Sequence, residues 1–253
     1  MTRRGWLGLL PLLGGCSTLR ATPPVTPLPV DEAFAWPEVL RRFVDSQGRV
    51  DFRGLAAERG PLDIVVAGIG RRAPNNRPGL FPTRADVLAF HINAYNALAM
   101  YNVVRNAPPL RLGLLDRVEF FKLTKLVVGE QPISLYDYEN DVIRPLGEER
   151  VHVALNCMAR SCPRLPRTPF TAEGLDAQLD AASREFFNDP RHVAVDDARR
   201  VVRLSSILDF YPQDFLRRAP TPVAYANLYR ATPLPADYKV EFIPYDWTLN
   251  AQP

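Results

Sequence analysis

Between Val151 and Pro163 the chain reads VHVALNCMARSCP, which gathers one of its three histidines and two of its three cysteines. An imidazole and a thiol together support acyl-transfer chemistry, with the thiolate as nucleophile and the imidazole as its base. Cys157 is the candidate nucleophile and His152 the candidate base. Apolar alternation predicts a strand from Val151 to Asn156, with Val151, Val153 and Leu155 on the core face and His152, Ala154 and Asn156 opposite. On a straight strand His152 and Asn156 stand about 13 Å apart, at roughly 3.3 Å per residue. His152 therefore meets Cys157 only through a fold-back after Asn156, or else serves a nucleophile from another element.

The cysteines carry other readings. In an oxidising compartment Cys157 and Cys162 pair as a disulfide that closes a small loop before Pro163. As metal ligands, Cys157, Cys162 and His152 lack a clear fourth partner, and their spacing fits no familiar zinc pattern. There is no phosphate-cradling glycine loop, serine elbow or zincin helix, so neither metal nor cofactor is expected.

Two further segments bear polar groups in apolar surroundings. A helix from about Ala85 to Arg105 is apolar on nearly every face and must be buried. It carries Asn93 and Asn96, three residues apart, which either bridge loops or line a pocket together with Asn156. Buried amides left unpaired cost about 1–3 kcal/mol each, so they need partners. The second segment follows Ser134, where Leu135, Tyr138, Val142 and Ile143 form an apolar stripe and Glu139 points into it. A carboxylate there is either paired with an arginine or has a raised pKa. If Asn93, Glu139 and His152 meet around one cavity, the three stretches make a site.

The elements that must position these groups follow from pattern. A first helix is expected over Phe34–Val44, a turn into a short strand over Gly48–Phe52, and a helix over Leu62–Ile69. Thr83 and Asp86 have the spacing of a capping box. Arg117–Leu123 and Leu126–Ile133 read as a hairpin, with Ser134 capping the next helix. Thr171 opens a helix that ends at Asn188-Asp189-Pro190. His192–Val195 and Val201–Leu204 form a second hairpin, Ser205 or Ser206 starts a short helix through Phe215, and Val240–Ile243 is a late strand. Helices and short antiparallel strands without a βαβ rhythm predict an α+β fold.

The first residues read as a targeting leader. Arg3 and Arg4 precede an apolar run from Trp6 to Leu13, shorter than the roughly 20 residues that span a bilayer. Leu13-Gly14-Gly15-Cys16 resembles a lipobox, which implies acylation of Cys16. Pro23, Pro24, Pro27 and Pro29 then favour an extended tether. The expected layout is a signal peptide at 1–15, a lipidated tether at 16–30 and one globular domain at 31–250. Its place is the periplasmic side of the outer membrane, held by the N-terminal lipid. Loss of 1–15 removes Arg3 and Arg4 and no acid, so the net charge of +3 falls to +1. With its arginines scattered, such a domain has no basic stripe for nucleic acid.

Several segments together resemble the uncharacterised family called domain of unknown function 547. They are AFHINAYNALAMYNVV (Ala89–Val104), SLYDYENDVIRP (Ser134–Pro145), VHVALNCMARSCPRL (Val151–Leu165), FTAEGLDAQLDAASREFFNDP (Phe170–Pro190), LSSILDFYPQDF (Leu204–Phe215) and YDWTLN (Tyr245–Asn250). His91 stands where the family usually shows tryptophan. The resemblance implies a helix-then-histidine layout distantly like papain and transglutaminase folds, although the helix at Ala85–Arg105 holds no cysteine. Two functions follow as expectations. One is a thiol hydrolase or acyltransferase on peptide or cell-envelope substrates, using Cys157, His152 and Glu139. The other is a non-catalytic protein that binds a small ligand or peptide, with Cys157–Cys162 as a staple.

Overall fold

The computed structural model describes residues 32–253; the leader, Cys16 and the proline-rich stretch to residue 30 lie outside the described residues. The fold is α+β, as the pattern implied, with helices outweighing short strands.

Helix α1 (Glu32–Phe43) packs with α3 (Gly60–Arg71), which leans on α4 (Arg84–Asn106), the longest described element at 23 residues; α1 reaches α4 through the Trp36–Asn93 bond. The Thr83/Asp86 capping box forms in full. Leu88, Ile92, Leu98 and Met100 on α4 are almost wholly buried, each contributing about 1.5–3 kcal/mol of burial. Between α1 and α3 the chain departs from expectation. Val50 makes only isolated bridges to Val44 and Ala251, and Phe52 starts helix α2 (Phe52–Ala57), capped by Asp51. Gly48 permits this turn, with φ +74° and an added Cβ only 2.6 Å from Arg164 Cγ and 2.7 Å from Leu165 N.

Downstream of α4 comes helix α5 (Leu114–Val118), which continues in wider π-type turns through Leu123. The expected first strand at Arg117–Leu123 is therefore helical. Phe120 faces inward while Leu114, Leu115 and Leu123 remain outside, so period-two alternation never existed there. The hairpin sits later, pairing β1 (Lys125–Val128) with β2 (Gln131–Ser134). Ser134 caps α6 (Leu135–Asp137) by accepting from the Asp137 amide. The chain then runs on in π-type turns over Tyr138–Ile143.

The second half builds a smaller core. Helix α7 (Leu175–Asn188) covers a three-stranded sheet of β3 (Val193–Asp196), β4 (Val201–Ser205) and β5 (Lys239–Ile243). β3 and β4 form the expected antiparallel hairpin, but β5 joins β4 in parallel. Helices α8 (Ile207–Phe210), α9 (Pro212–Leu216) and α10 (Pro222–Asn227) close it. Buried side chains divide accordingly. One cluster centres on α1–α4 and includes Val151 and Leu155; the other centres on α7 and the sheet and includes Val153. The residues around His152 thus lie at the seam. Among the described residues no helix is long and apolar enough to cross a membrane.

Candidate functional site

The seam segment is not the expected strand. Glu149–Val153 forms a tight 3-10 turn, after which the Ala154 and Leu155 amides both bond the Val151 carbonyl. Val151 through Asn156 are all buried, His152 at 4% exposure. Alternation marks a strand only when one face is wet; here both sides are covered, so the pattern had no face to report. Asn96 of α4 holds the segment, accepting from the Asn156 amide at 2.7 Å and donating to the Ala154 carbonyl at 3.0 Å. Asn156 in turn accepts from the Met158 amide and donates to the Pro163 carbonyl, which shapes the loop between the cysteines. Met158 sits inside that loop at φ +67°.

The exit from the 3-10 turn presents His152 to α9. Its Nε2 lies 2.8 Å from Asp214 Oδ2, and the same oxygen accepts from Arg144 Nε at 2.7 Å. The imidazole lies flat on Tyr211, with centroids 4.1 Å apart, and the Arg144 guanidinium sits 5.0 Å from the same ring. Burial works to raise the Asp214 carboxyl, but the bonds from His152 and Arg144 outweigh it and hold it well below the usual range. His152 Nδ1 faces Glu139 Oε1 at 3.9 Å. Both ring nitrogens are therefore directed at carboxylates.

Glu139 is buried, as its place in the apolar stripe implied, though π-type turns carry it. Arg144, a neighbouring arginine, is committed to Asp214. Instead the Tyr95 hydroxyl donates to Glu139 Oε2 at 3.1 Å, and the Tyr211 hydroxyl also bonds this carboxylate. Burial, reinforced by the Glu139 charge, pushes both phenols far up, so they stay protonated donors.

Across from Glu139 stand the thiols. Cys157 and Cys162 are free, their sulfurs 3.0 Å apart; the expected disulfide is not present. Its closure is blocked by no distance, since the loop already brings the sulfurs into contact. The Cys162 sulfur also takes the Cys157 amide at 3.2 Å and the Tyr245 hydroxyl at 3.2 Å. Its bond to Cys162, followed by burial, pushes the Cys157 thiol well up. Burial would raise Cys162 as well, but the donors from Cys157 and Tyr245 draw it down. The sulfur better suited to ionise is therefore Cys162, not Cys157.

These groups line one cavity of about 340 Å³, with Glu139, His152, Cys157 and Cys162 among Tyr95, Leu155, Phe121, Ile207, Tyr211, Tyr245 and Trp247. Of the residues chosen from sequence, Asn93, Asn96 and Asn156 are not in its lining. Asn93 bonds Trp36 and both polar groups of the Phe170 backbone, beside a separate hollow at Phe81. Asn96 and Asn156 spend their amides on the loop. All three are satisfied by backbone or indole groups, the bridging alternative. His91 does not border the cavity either; it bonds Tyr138 at 2.7 Å, and burial lowers it to about 4. The residues missed were Asp214, Tyr95, Tyr211 and Tyr245. Their signal was weak, because tyrosines on apolar stripes read as core. Among the described residues no group of three or more histidine, cysteine or acidic side chains could hold a metal ion.

Residues 81–187 match the family model described as protein of unknown function, DUF547. The chain resembles that family over this span, which takes in α4, Glu139, His152 and both thiols. Asp214, Tyr211 and Tyr245 lie beyond it. No curated protein and no solved structure matches the chain.

Proposed function

We propose that this protein is anchored by an N-terminal lipid on the periplasmic side of the outer membrane, and that its cavity binds an apolar small ligand or peptide end bearing an amine. The anchor rests on the Trp6–Leu13 run and Leu13-Gly14-Gly15-Cys16. The binding reading rests on one observation: Glu139 is a buried carboxylate in an aromatic-walled cavity whose neighbouring cations are engaged elsewhere, Arg144 with Asp214 and the lining residues Arg117 and Lys122 over the rings of Trp247 and Tyr136. A carboxylate among ring faces attracts a cation by charge and by the ring quadrupoles together. Tyr95 and Tyr211 fix its position, so little ordering cost remains for the ligand. Isothermal titration with octylamine and octanoate tests this. The native protein should bind the amine and refuse the carboxylate, and Glu139→Gln should lose at least about tenfold in amine affinity, which is about 1.4 kcal/mol. A native protein that binds no octylamine would sink the reading.

A second reading, thiol hydrolase or acyltransferase, is favoured by the donors gathered on the Cys162 sulfur. Chemistry of this kind would begin at Cys162, with Tyr245 supporting the thiolate. His152 is not placed as its base, since its nitrogens face Asp214 and Glu139 rather than a sulfur. In limited iodoacetamide labelling read by peptide mass, Cys162 should alkylate ahead of Cys157 and slow in Tyr245→Phe. Equal rates at the two cysteines would remove this reading. Closure of Cys157–Cys162 to a disulfide in an oxidising compartment would silence both and leave the binding function.

A further inference from the structure

We propose that the outward face of the α5 segment is the surface by which this protein lies on an anionic lipid bilayer, with the cavity mouth opening onto that bilayer. The inference deepens the binding reading, on which the role of the cavity still rests.

Across Leu114–Leu123 the helix has two characters. Phe120 is buried and Phe121 forms part of the cavity wall, which accounts for the inner side. Nothing in the core accounts for the outer side, where Leu115 is 82% exposed, Leu114 70% and Leu123 67%. Three leucines on one short segment exceed the scattered apolar exposure of an ordinary surface. Leu114 and Val118 also line the cavity, so the outer patch and the inner hollow are one continuous apolar surface.

Charge selects the occupant. Residues 110–125 carry four basic side chains and two acidic ones; of the basic four, Lys125 is paired with Asp137. Asp116 is spent on capping its own helix. Arg117 and Lys122 pair with no carboxylate among the described residues; they lie over the rings of Trp247 and Tyr136 at 4.8 and 4.3 Å. Leucines outward, cations beside them and aromatic rings beneath are the composition of a helix that lies in a bilayer interface, apolar groups below the headgroups and cations among the phosphates. A peptide partner or a second copy would leave the excess positive charge without a reason. A ligand drawn from such a surface passes Leu114 and Val118 without crossing water.

Hydrogen exchange of the full-length chain, resolved by peptide, tests the proposal, with octylamine titration run in parallel. Vesicles of phosphatidylethanolamine and phosphatidylglycerol should slow exchange over residues 112–124 several-fold, and phosphatidylcholine vesicles much less. Because the readout is local, anchoring through the N-terminus alone leaves 112–124 unchanged and overturns the proposal. In the double variant Leu115→Asp, Leu123→Asp the slowing should vanish while melting temperature and octylamine binding persist. Protection of 112–124 without vesicles also overturns it, indicating a second copy if it grows with protein concentration and the chain's own N-terminal residues if it does not. Slowing by vesicles in a protein that binds no octylamine would uphold the membrane face and reject the binding reading alone.

Discussion

His152 and His192 are equally buried, at 4% and 3% exposure, and each lies flat on an aromatic ring, Tyr211 at 4.1 Å and Phe186 at 4.0 Å. Their surroundings differ in one respect. His152 sits between Asp214 and Glu139 and lines the cavity of about 340 Å³. His192 has no partner on Nε2, borders hollows of about 170 and 740 Å³, and is pushed down to about 4 chiefly by burial. Stacking and burial are common to both and so identify neither as functional. What separates them is the carboxylates: His152 has one facing each ring nitrogen, while His192 has no partner on Nε2. The same contrast separates the two cores: the seam is built around charge, the sheet end around packing.

The strongest way to break this comparison is Asp214→Ala. It leaves His152 and Arg144 facing a void, and removing one member of a buried pair costs about 3–5 kcal/mol. Urea unfolding near neutral pH measures it; a loss below 1 kcal/mol would mean that His152 is held by packing, like His192. A smaller effect sharpens the other side. His192 and His91 are both lowered to about 4 by burial, whereas the unfolded chain binds those protons near 6.5. Their contribution is full above 6.5 and is lost as pH falls toward 4, by roughly 3 kcal/mol for each histidine. His192→Phe should therefore cut the acid loss over that window by about half while changing stability little at pH 8. Superimposed slopes would show that His192 is not neutral by burial. Asp214 acts in a lower window, because its depressed carboxyl keeps its contribution until pH falls below the ordinary carboxylate range.

Sequence reasoning read local signals well. The Thr83 box, the Ser134 cap and the β3–β4 hairpin are set by residues a few positions apart, and each formed as read. Glu139 was legible because an acid inside an apolar stripe conflicts with its neighbours. The segment at Val151 was not, since a wholly buried turn and a strand share the same apolar text. Asn93 was misplaced for a related reason: an amide on a buried helix announces that it has a partner but not which one, and Trp36 and Phe170 lie 57 and 77 residues away. Asp214 was invisible because its partners Arg144 and His152 are 70 and 62 positions distant. Only the tertiary seam joins them.

Tyr95 and Asn96 are consecutive on α4, and they grip opposite sides of the hollow. The phenol holds Glu139, while the amide stands in for a neighbouring backbone and registers the stretch leading to Cys157. Both walls are thereby riveted to a single rod. Parting those two walls would mean unfastening the phenol or the amide, whereas the rim over residues 114–122 belongs to a different helix.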